Sequence, residues 1–412
     1  MKPITVLIIG AGSRGKVYAS YALKHPTEAQ VIGVADPREF FRTQLANAHQ
    51  IATENVVTAW QDLAQRPKFA DAVVIATPDV LHRDPAIAFA QKSYDILLEK
   101  PLAPDPDSCR SIVEAVIAAQ SIFAVGHVMR YTNYTQRLKG LVSSGLIGDI
   151  VSIQHLEPVG YWHYAHSFVR GNWRNEATSS LMLLAKSCHD IDWLRYIIGE
   201  PCVQVASFGS LKHFKKERKP IEAGDAMRCL DCAYETSCPY SAKRFYQKCF
   251  HEENTGWPLD VITTDFTEAG VTEALRTGPY GRCVYECDND VVDHQVVNLE
   301  YESGTTASFT MIATCEIRER ETIIFGTQGE LRGNGEKIVH YDFLTETTKT
   351  FEIEQSESGH SGGDYALMKS FITAVAQRDP SSILSGPAEA LETHLTVFAA
   401  EQARREHRGV RV

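Results

Sequence analysis

The stretch "ITVLIIGAGSRGKVYASYAL", residues 4–23, decides the fold. It reads as a β-branched apolar run, a glycine turn and a helical pattern. Gly10, Gly12 and Gly15 form G-x-G-x-x-G directly after the predicted strand and at the start of the predicted helix, which is the context the motif requires. Gly10 permits a tight turn, Gly12 lets a pyrophosphate approach the backbone, and Gly15 allows close packing of helix and strand. Ser13 and Arg14, inside the turn, are further candidate coenzyme contacts, since a helix N-terminus binds phosphates.

An acidic residue ends the second predicted strand. The segment "AQVIGVADP" stops at Asp36, twenty-one residues after Gly15, where a ribose-binding carboxylate is expected. Asp36 favours NAD, because it would accept hydrogen bonds from the ribose hydroxyls and repel a 2′-phosphate. Arg38 and Arg14 lie nearby in sequence and could soften that preference, so NADP is not excluded.

Strand-like and helical segments continue to alternate up to about residue 125. This alternation predicts right-handed βαβ units, a doubly wound parallel sheet and a Rossmann domain over residues 1–125. Ligands of such sheets lie at the carboxyl ends of the strands. The polar residues predicted at that edge, and hence near the coenzyme, are Thr77, Pro78, His82, Glu99, Lys100 and His127.

Length and composition limit the class of protein. The chain has 412 residues, which favours two domains. Its 41 basic and 52 acidic residues give a net charge of −11, which argues against nucleic acid or an anionic membrane surface as a partner. We find no apolar run long enough to cross a membrane, and the N-terminus resembles a first strand rather than a signal peptide. We therefore expect a cytoplasmic protein whose ten cysteines are thiols or metal ligands.

A second pattern begins after about residue 125. Seven strand-like runs with hairpin spacing lie between residues 149 and 354. They predict a C-terminal α/β domain over residues 126–412, with a large open, mainly antiparallel sheet covered by helices on one face. Before the last two predicted helices, Gly359, Gly362 and Gly363 with His360 mark a loop that could approach the active site.

A cysteine-rich insert at about residues 225–255 interrupts the strand pattern. Cys229, Cys232, Cys238 and Cys249 follow the spacing C-x2-C-x5-C-x10-C, which predicts a closed structural Zn²⁺ site. An iron–sulfur cluster and unliganded thiols are the alternatives. Cys283 and Cys287 have weaker spacing and are interpreted as free thiols.

Two further segments carry candidate substrate contacts. In "LLAKSCHDID", residues 183–192, a helix would place Lys186, His189 and Asp190 on one side, which we interpret as the floor of a substrate pocket. Asp192 lies toward the apolar side and is interpreted as a buried partner for an arginine. Aromatic faces cover the C–H surfaces of sugars while polar groups bind hydroxyls. The segment "VGYWHYAHSFVRGNWRNE" therefore predicts a sugar-binding wall built from Tyr161, Trp162, His163, Trp173 and Arg174, with a packed aromatic loop as the alternative.

The combination "GAGSRG", "ATPDVLH", "EKPLA" and "HDIDWLRYIIG" resembles the Gfo/Idh/MocA oxidoreductases, the family of glucose–fructose oxidoreductase and inositol dehydrogenase. The resemblance implies NAD(P)-dependent oxidation or reduction of a sugar, a polyol or a related carbonyl. It also implies oligomers, dimers or tetramers, formed through the open sheet. By resemblance, Lys100 matches the active-site lysine of the family and His189 its active-site histidine. Many members carry an aspartate four residues before that histidine, where this chain has Ala185.

Hydride transfer from a carbinol carbon requires an acid/base for the hydroxyl proton and a positive charge for the alkoxide. We assign His189 to the proton and Lys100 to the substrate oxygen, with Lys186 replacing part of the role of the missing carboxylate. Two alternatives stay open. One is an NAD-dependent glycosidase that works by transient oxidation, elimination and re-reduction. The other is a non-catalytic dinucleotide-binding redox sensor.

Overall fold

The computed structural model describes residues 2–354 and 359–412. Two β-sheets organise these residues, and they lie where the two sequence patterns predict them. The predicted α/β fold, a Rossmann sheet followed by a domain with a large open sheet, is confirmed.

The first sheet has six parallel strands in the order β3-β2-β1-β4-β5-β6. All four residues of β4 and of β5 are buried, as expected for a parallel sheet that helices cover on both faces. The strand order reverses between β1 and β4, next to the glycine turn, which is where α/β sheets bind their ligands. The elements of this part are β1 (Ile4–Ile9), α1 (Ser13–Lys24), β2 (Ala29–Ala35), α2 (Glu39–His49), β3 (Val56–Val57), α3 (Gln61–Ala64), β4 (Ala72–Ile75), α4 (Arg83–Gln91), β5 (Asp95–Leu98), α5 (Pro106–Ala118) and β6 (Phe123–Val125).

The second sheet has nine strands in the order β14-β13-β12-β11-β7-β10-β9-β8-β15. Only the pair β7 and β10 is parallel among the described strands of this sheet; the other neighbours are antiparallel. The strands of this part are β7 (Ile150–Pro158), β8 (Cys202–Ser210), β9 (His294–Tyr301), β10 (Thr306–Ile312), β11 (Glu321–Gly326), β12 (Gly329–Gly333), β13 (Lys337–Asp342), β14 (Thr347–Glu352) and β15 (Val410–Arg411).

Helices cover one face of the second sheet, and the other face is open. Leu138, Leu194 and Val397, from three different helices, pack against the strands in one hydrophobic core, whereas Val151 and Phe208 point to solvent from the open face. The helices that follow β6 in the chain, not all of which pack on this sheet, are α6 (Asn133–Ser143), α7 (Tyr161–Tyr164), α8 (Met182–Ala185), α9 (Cys188–Ile198), α10 (Ala242–His251), α11 (Leu259–Ile262), α12 (Glu268–Thr277), α13 (Gly363–Gln377) and α14 (Pro387–Glu406). In the described part of the chain, no helix is long and apolar enough to cross a membrane.

The C-terminal helices return to the first sheet. Leu367, Phe371 and Ile372 of α13 are buried in the same core as Val6 and Val74 of the Rossmann strands. The last helices therefore fasten the second part of the chain to the first, because apolar surface from both is buried together. The boundary at residue 125 stays a prediction.

The single helix predicted over residues 183–192 is broken. Helix α8 ends at Ala185, and α9 starts at Cys188 behind the N-cap residue Ser187, whose backbone (φ −101°, ψ 8°) is not helical. The polar side is also not solvated: His189 is 7% exposed and Asp190 is fully buried. This segment is therefore interior structure between the two sheets.

Candidate active site

The glycine turn fits a pyrophosphate. Gly10 has φ +94°, and a Cβ atom there would lie 2.4 Å from the carbonyl oxygen of Ala76. A Cβ atom on Gly15 would lie 1.9 Å from the Gly10 carbonyl oxygen, so both positions require glycine for packing alone. Gly12 is the N-cap of α1, with no side-chain cap and no acidic residue in the first turn. The first N–H groups of α1 are consequently left for an anion.

Asp36 is held in place next to this turn. Its carboxylate accepts hydrogen bonds from the Ala11 amide at 2.7 Å and from the Arg38 guanidinium at 2.9 and 3.0 Å. Burial raises the pKa of Asp36, but the hydrogen bonds from Arg38 and Ala11 outweigh it and the net pKa is lowered. Asp36 is thus an anion at neutral pH. The Arg38 guanidinium also lies over Gly12, with Nη2 3.1 Å from where a Cβ atom would be.

Arg14 is bound to protein groups. Its guanidinium donates to Glu99 at 2.5 Å, to the Tyr18 hydroxyl at 2.7 Å and to Asp364 at 2.7 Å. His360 Nδ1 lies 3.3 Å from Arg14 Nη1 and 3.1 Å from Asp364 Oδ2. Arg14 therefore connects the glycine turn to the strand-end residue Glu99 and to the start of α13, and its predicted contact with the coenzyme stays a prediction.

His82, another of the residues predicted at the strand ends, joins two loops. The buried His82 places Nδ1 2.7 Å from the Pro101 carbonyl oxygen and Nε2 2.9 Å from the Thr77 carbonyl oxygen. It joins the loops that follow β4 and β5, while Pro78 is exposed between them. Since both ring nitrogens face these carbonyl groups, His82 holds the two loops together from within the protein, and its predicted contact with the coenzyme stays a prediction.

Lys100 bridges the two parts of the chain. Its Nζ atom donates a 2.6 Å hydrogen bond to the carbonyl oxygen of Ala185, the last residue of α8. Its own amide donates to Glu99 Oε2 at 2.8 Å, which fixes the backbone at the end of β5. The lysine from the Rossmann sheet thus lies against the segment that carries His189.

His189 is a buried, neutral histidine. Burial lowers its pKa well below the ordinary value, and the positive charges of Lys100 and Arg320 lower it further. Its Nδ1 atom is buried and has no hydrogen-bond partner among the described residues. The rings of His127 and His360 lie 5.8 and 6.3 Å from the ring of His189. His127 is fully buried, and burial also lowers its pKa.

Lys186 belongs to a network in which half-buried cations pair with buried carboxylates. Its Nζ atom lies 3.2 Å from Glu157, whose other oxygen lies 2.8 Å from Arg320. Arg320 also donates to Asp190 at 2.5 Å, and His155 Nε2 lies 3.1 Å from the same Asp190 oxygen. Lys186 therefore pairs with a carboxylate from β7. Asp190 is fully buried among these partners, which does not favour its predicted contact with substrate.

Asp192 has the role predicted for it. Both of its oxygens accept from the buried Arg130, at 2.7 and 2.8 Å. His127 Nε2 lies 3.7 Å from Asp192 Oδ1 and Thr393 donates to the same oxygen at 3.2 Å. The interpretation of Asp192 as a buried partner for an arginine is confirmed.

The predicted aromatic wall divides into two groups. Trp162 and His163 pack against Trp257 of the insert, with ring centroids 5.6 and 5.2 Å apart. Burial lowers the pKa of His163 well below its ordinary value, and the nearby charge of Lys186 lowers it further, which places this ring near the network. Tyr161 is exposed and contacts Tyr240.

The other two wall residues are engaged elsewhere. The Trp173 indole donates to Asp79 of the Rossmann part at 3.2 Å. Arg174 donates to Asp288 at 2.9 Å. Trp173 therefore joins the two parts of the chain, and Arg174 fixes a loop. A cleft of about 1330 Å³ is lined by His163, Lys186, Glu157 and His360 and extends across the open sheet face.

The cysteines of the insert lie differently from the prediction. Cys229, Cys232 and Cys238 line one small cavity, and the fourth cysteine on that cavity is Cys283 rather than Cys249. No three His, Cys, Asp or Glu side chains within residues 2–354 and 359–412 are already arranged to hold a metal ion. The predicted zinc site with Cys249 as a ligand is therefore not supported by this arrangement. The cysteine-rich insert also extends beyond the predicted residues 225–255, since Val271 and Leu275 belong to the same hydrophobic cluster as Cys229 and Cys249.

Sequence reasoning missed Glu157, His155 and Arg320. A signal for the first two exists in β7. His155 and Glu157 follow Ile153 at every second position of this strand, so their side chains lie on the same buried face as Ile153. Polar residues on a buried strand face require partners. Arg320 lies just before β11 in a polar loop, and nothing in its sequence context indicates that it turns inward.

The chain matches two family profiles. Residues 4–127 match "Oxidoreductase family, NAD-binding Rossmann fold", and residues 139–412 match "Oxidoreductase family, C-terminal alpha/beta domain". Together the two matches cover nearly the whole chain.

Individual relatives are distant. YteT of Bacillus subtilis, a protein named as an oxidoreductase, is 24% identical over 340 residues, which is 79% of this chain and 77% of that protein. The 2,7-anhydro-N-acetylneuraminate hydratase of Escherichia coli is 29% identical over 50% of this chain and 53% of the enzyme. Inositol 2-dehydrogenase 4 of Saccharopolyspora erythraea is 28% identical over 50% of this chain and 57% of the enzyme. Among solved structures, levoglucosan dehydrogenase in complex with NADH and levoglucosan superposes with a TM-score of 0.72 at 18% identity and covers all of both chains, which is a likeness of fold.

Proposed function

The chain belongs to the Gfo/Idh/MocA oxidoreductase family, and on that premise we propose that it transfers a hydride between NAD and a hydroxyl-bearing carbon of a sugar, polyol or glycoside. The observation that carries the proposal is the contact of Lys100 with the carbonyl group of Ala185. It brings a positive charge from the coenzyme edge of the Rossmann sheet to the segment that holds a neutral, buried histidine.

The chain offers a place for each part of the coenzyme. The turn at Gly10, Gly12 and Gly15 with the N–H groups of α1 would hold the pyrophosphate, and Asp36 would lie at the adenosine ribose. NAD supplies a nicotinamide ring that accepts or gives the hydride. NADP stays a second possibility, because Arg38 lies beside Asp36 and could meet a 2′-phosphate.

His189 handles the proton in this proposal. It is uncharged at neutral pH, because burial and neighbouring positive charges lower its pKa, and it can therefore accept a proton from a substrate hydroxyl. Nδ1 is enclosed by protein, which leaves Nε2 as the nitrogen available to substrate. Lys100 keeps N–H groups beyond the one bound to Ala185, and these would stabilise the negative charge that develops on the substrate oxygen.

In this proposal Lys186 helps to position the charged groups of the pocket floor and does not itself transfer a proton. Its ion pair with Glu157 and the link through Arg320 to Asp190 keep the charge of the pocket floor balanced. The carboxylate missing at Ala185 is thus matched by Glu157, which comes from a different element. Trp162 and His163 would cover the C–H face of a sugar ring.

The experiment is to incubate the purified chain with NAD⁺ and a panel of inositols, aldoses and alkyl glycosides and to follow the absorbance of NADH. We expect NADH with at least one polyol or sugar, and a His189→Asn variant that still binds coenzyme but forms NADH at least about 100-fold more slowly. If coenzyme binds and no compound of these classes changes the NADH absorbance in either direction, the dehydrogenase proposal fails, and the redox-neutral reaction and the non-catalytic sensor are left.

A redox-neutral reaction is the second candidate. Ala185 replaces the carboxylate that many members carry, and one relative is named as a hydratase of an anhydro sugar. Oxidising a sugar hydroxyl acidifies the neighbouring C–H bond, which permits elimination before re-reduction. Cleavage of a glycoside without net NADH formation would favour this candidate over a dehydrogenase.

Three finer parts of the proposal concern the state of the protein. We propose, first, a structural Zn²⁺ in the cysteine-rich insert. We propose, second and third, that the protein is cytoplasmic and forms a homo-oligomer, a dimer or tetramer, joined through the open sheet face that exposes Val151 and Phe208. Size-exclusion chromatography with light scattering, comparing the wild type with a Phe208→Glu variant, tests the oligomer: dissociation in the variant supports it and a monomeric wild type contradicts it.

A further inference from the structure

The two ends of the cysteine-rich insert meet at a neck. Arg228 and Arg282 form an isolated antiparallel bridge, and the Cys283 amide donates to the Met227 carbonyl oxygen at 2.8 Å. Cys229 and Cys283 are therefore neighbours in space although 54 residues separate them in sequence. Cys249, in α10, packs in the same hydrophobic cluster as Cys229 but is not among the residues that line the cavity beside this neck.

Four cysteines surround a cavity beside the neck. Cys229, Cys232, Cys238 and Cys283 all line it, and its volume is about 20 Å³. That is room for about one water-sized occupant. The cysteines come from short turns with little regular structure, and such segments gain order when a metal holds their side chains.

A buried cation points into the same region without a carboxylate partner. Arg170 is only 3% exposed. Its guanidinium donates to the carbonyl oxygens of Arg282 and Tyr240, each at 2.8 Å, and to Cys229 Sγ at 3.6 Å. Among the described residues no Asp or Glu lies within ion-pair distance of it. An isolated buried charge is costly, so the neighbouring sulfurs are the natural source of negative charge.

The sulfur of Cys229 also has several polar neighbours. It accepts a hydrogen bond from the Ala242 amide at 3.4 Å as well as from Arg170. The same sulfur lies 3.9 Å from the carbonyl oxygen of Arg282, to which its thiol can donate. These contacts hold Cys229 between the neck and the start of α10.

We propose that Cys229, Cys232, Cys238 and Cys283 bind one structural Zn²⁺ that locks the neck of the insert, with Arg170 as the counter-charge. Zinc takes four cysteine sulfurs in a closed tetrahedron at about 2.3 Å. The sulfurs are not yet arranged as a ligand set, so they would draw in around the ion and release their protons to solvent. The proposal assigns Cys283 as the fourth ligand in place of Cys249 and is independent of the dehydrogenase function.

The first test measures metal content. The purified full chain, expressed with zinc in the medium and dialysed, is analysed for zinc and iron by mass spectrometry. We expect about one zinc per chain in the wild type, the same in Cys249→Ala, and a loss of at least about tenfold in Cys283→Ala. Zinc kept by Cys283→Ala but lost by Cys249→Ala would overturn the ligand assignment. A folded wild type without zinc, or one with the absorption of an iron–sulfur cluster, would overturn the site.

The second test uses only the wild type and so does not depend on a variant that folds. Native protein is treated with iodoacetamide before and after addition of a strong chelator, and each cysteine is followed by peptide mass spectrometry. We expect Cys232, Cys238 and Cys283 to react markedly faster after chelation, while the rate at Cys249 stays unchanged. Equal rates with and without chelator at the three cysteines would contradict the proposal.

Discussion

The ammonium group of Lys100 lies 2.6 Å from the carbonyl oxygen of Ala185. This hydrogen bond links the end of β5, in the Rossmann sheet, to the break between α8 and α9 that precedes His189. The two candidate catalytic residues come from different parts of the fold, Lys100 from the Rossmann part and His189 from the part that carries the second sheet. The geometry of the site therefore depends on how these two parts are packed.

Replacing Lys100 by Met removes the charge and this hydrogen bond while keeping a side chain of similar length. We expect kcat to fall by about 100- to 1000-fold, the range for loss of a donor that stabilises a developing oxyanion, with NAD binding little changed. Steady-state kinetics and coenzyme titration measure both quantities. Lys369→Met, at an exposed position of α13, is the matched control and should leave kcat within about twofold. An unimpaired Lys100→Met enzyme would contradict the assignment.

The charge network under the pocket should be essential for stability. Arg320→Gln leaves the buried Asp190 and Glu157 without their shared cation, and removing one partner of a buried pair costs about 3–5 kcal/mol. Urea unfolding followed by circular dichroism measures the free energy of unfolding. In the control variant Arg318→Gln, only the pair with the exposed Glu321 is lost, and an ion pair between exposed side chains contributes little to stability. Equal effects of the two changes would argue against the buried network.

Acid should destabilise the protein before its carboxylates titrate. Burial lowers the pKa of His166 and His394 from 6.5 to about 3, and the pKa values of His127, His163 and His189 are lowered as well. Below pH 6.5 the unfolded chain binds protons at these histidines that the folded chain does not bind, so the free energy of unfolding decreases as the pH falls.

The measurement is a series of urea unfolding curves between pH 8 and about pH 4.5. We expect a nearly flat dependence above pH 7.5 and a progressive loss of stability below about pH 6.5. His394 shows the physical reason for the loss of stability. Its Nδ1 donates to the Ala390 carbonyl while its Nε2 accepts from the Leu102 amide at 2.9 Å, so the folded chain requires the neutral form of this ring. A free energy of unfolding that is constant across this interval would contradict the prediction.

The guanidinium of Arg38 should moderate the choice of coenzyme. It occupies both oxygens of Asp36, so Arg38→Ala leaves the carboxylate less neutralised and more repulsive to a 2′-phosphate. We expect the ratio of kcat/KM for NAD to that for NADP to rise by about tenfold, equal to about 1.4 kcal/mol. Arg42→Ala, which removes only a bond to the Asp36 carbonyl oxygen, should change the ratio much less. A falling ratio in Arg38→Ala would show that Arg38 does not serve a 2′-phosphate.

Much of the fold could be predicted from local patterns. The glycine turn, Asp36, the alternating strands and helices and the seven strand-like runs depend on steric and periodic rules that act over a few residues. The strands of the second sheet alternate between buried and exposed residues, as in β9 and β10. This alternation is visible in the sequence, and the strands could therefore be predicted from it. The break at Lys186 and Ser187 could not be predicted in this way, since both residues are compatible with a helix and the interruption follows from packing between the sheets.

What the sequence by itself determined is therefore the type of each sheet, the coenzyme turn and the residue types that the chemistry needs. Tertiary structure alone decided that Glu157 faces Lys186, that Arg320 turns inward to Asp190, and that Cys283 rather than Cys249 joins the other insert cysteines. The physical reason is range: hydrophobic periodicity is a property of neighbours in sequence, whereas a buried charge or thiol is satisfied by whichever residue the folded chain brings within a few ångströms.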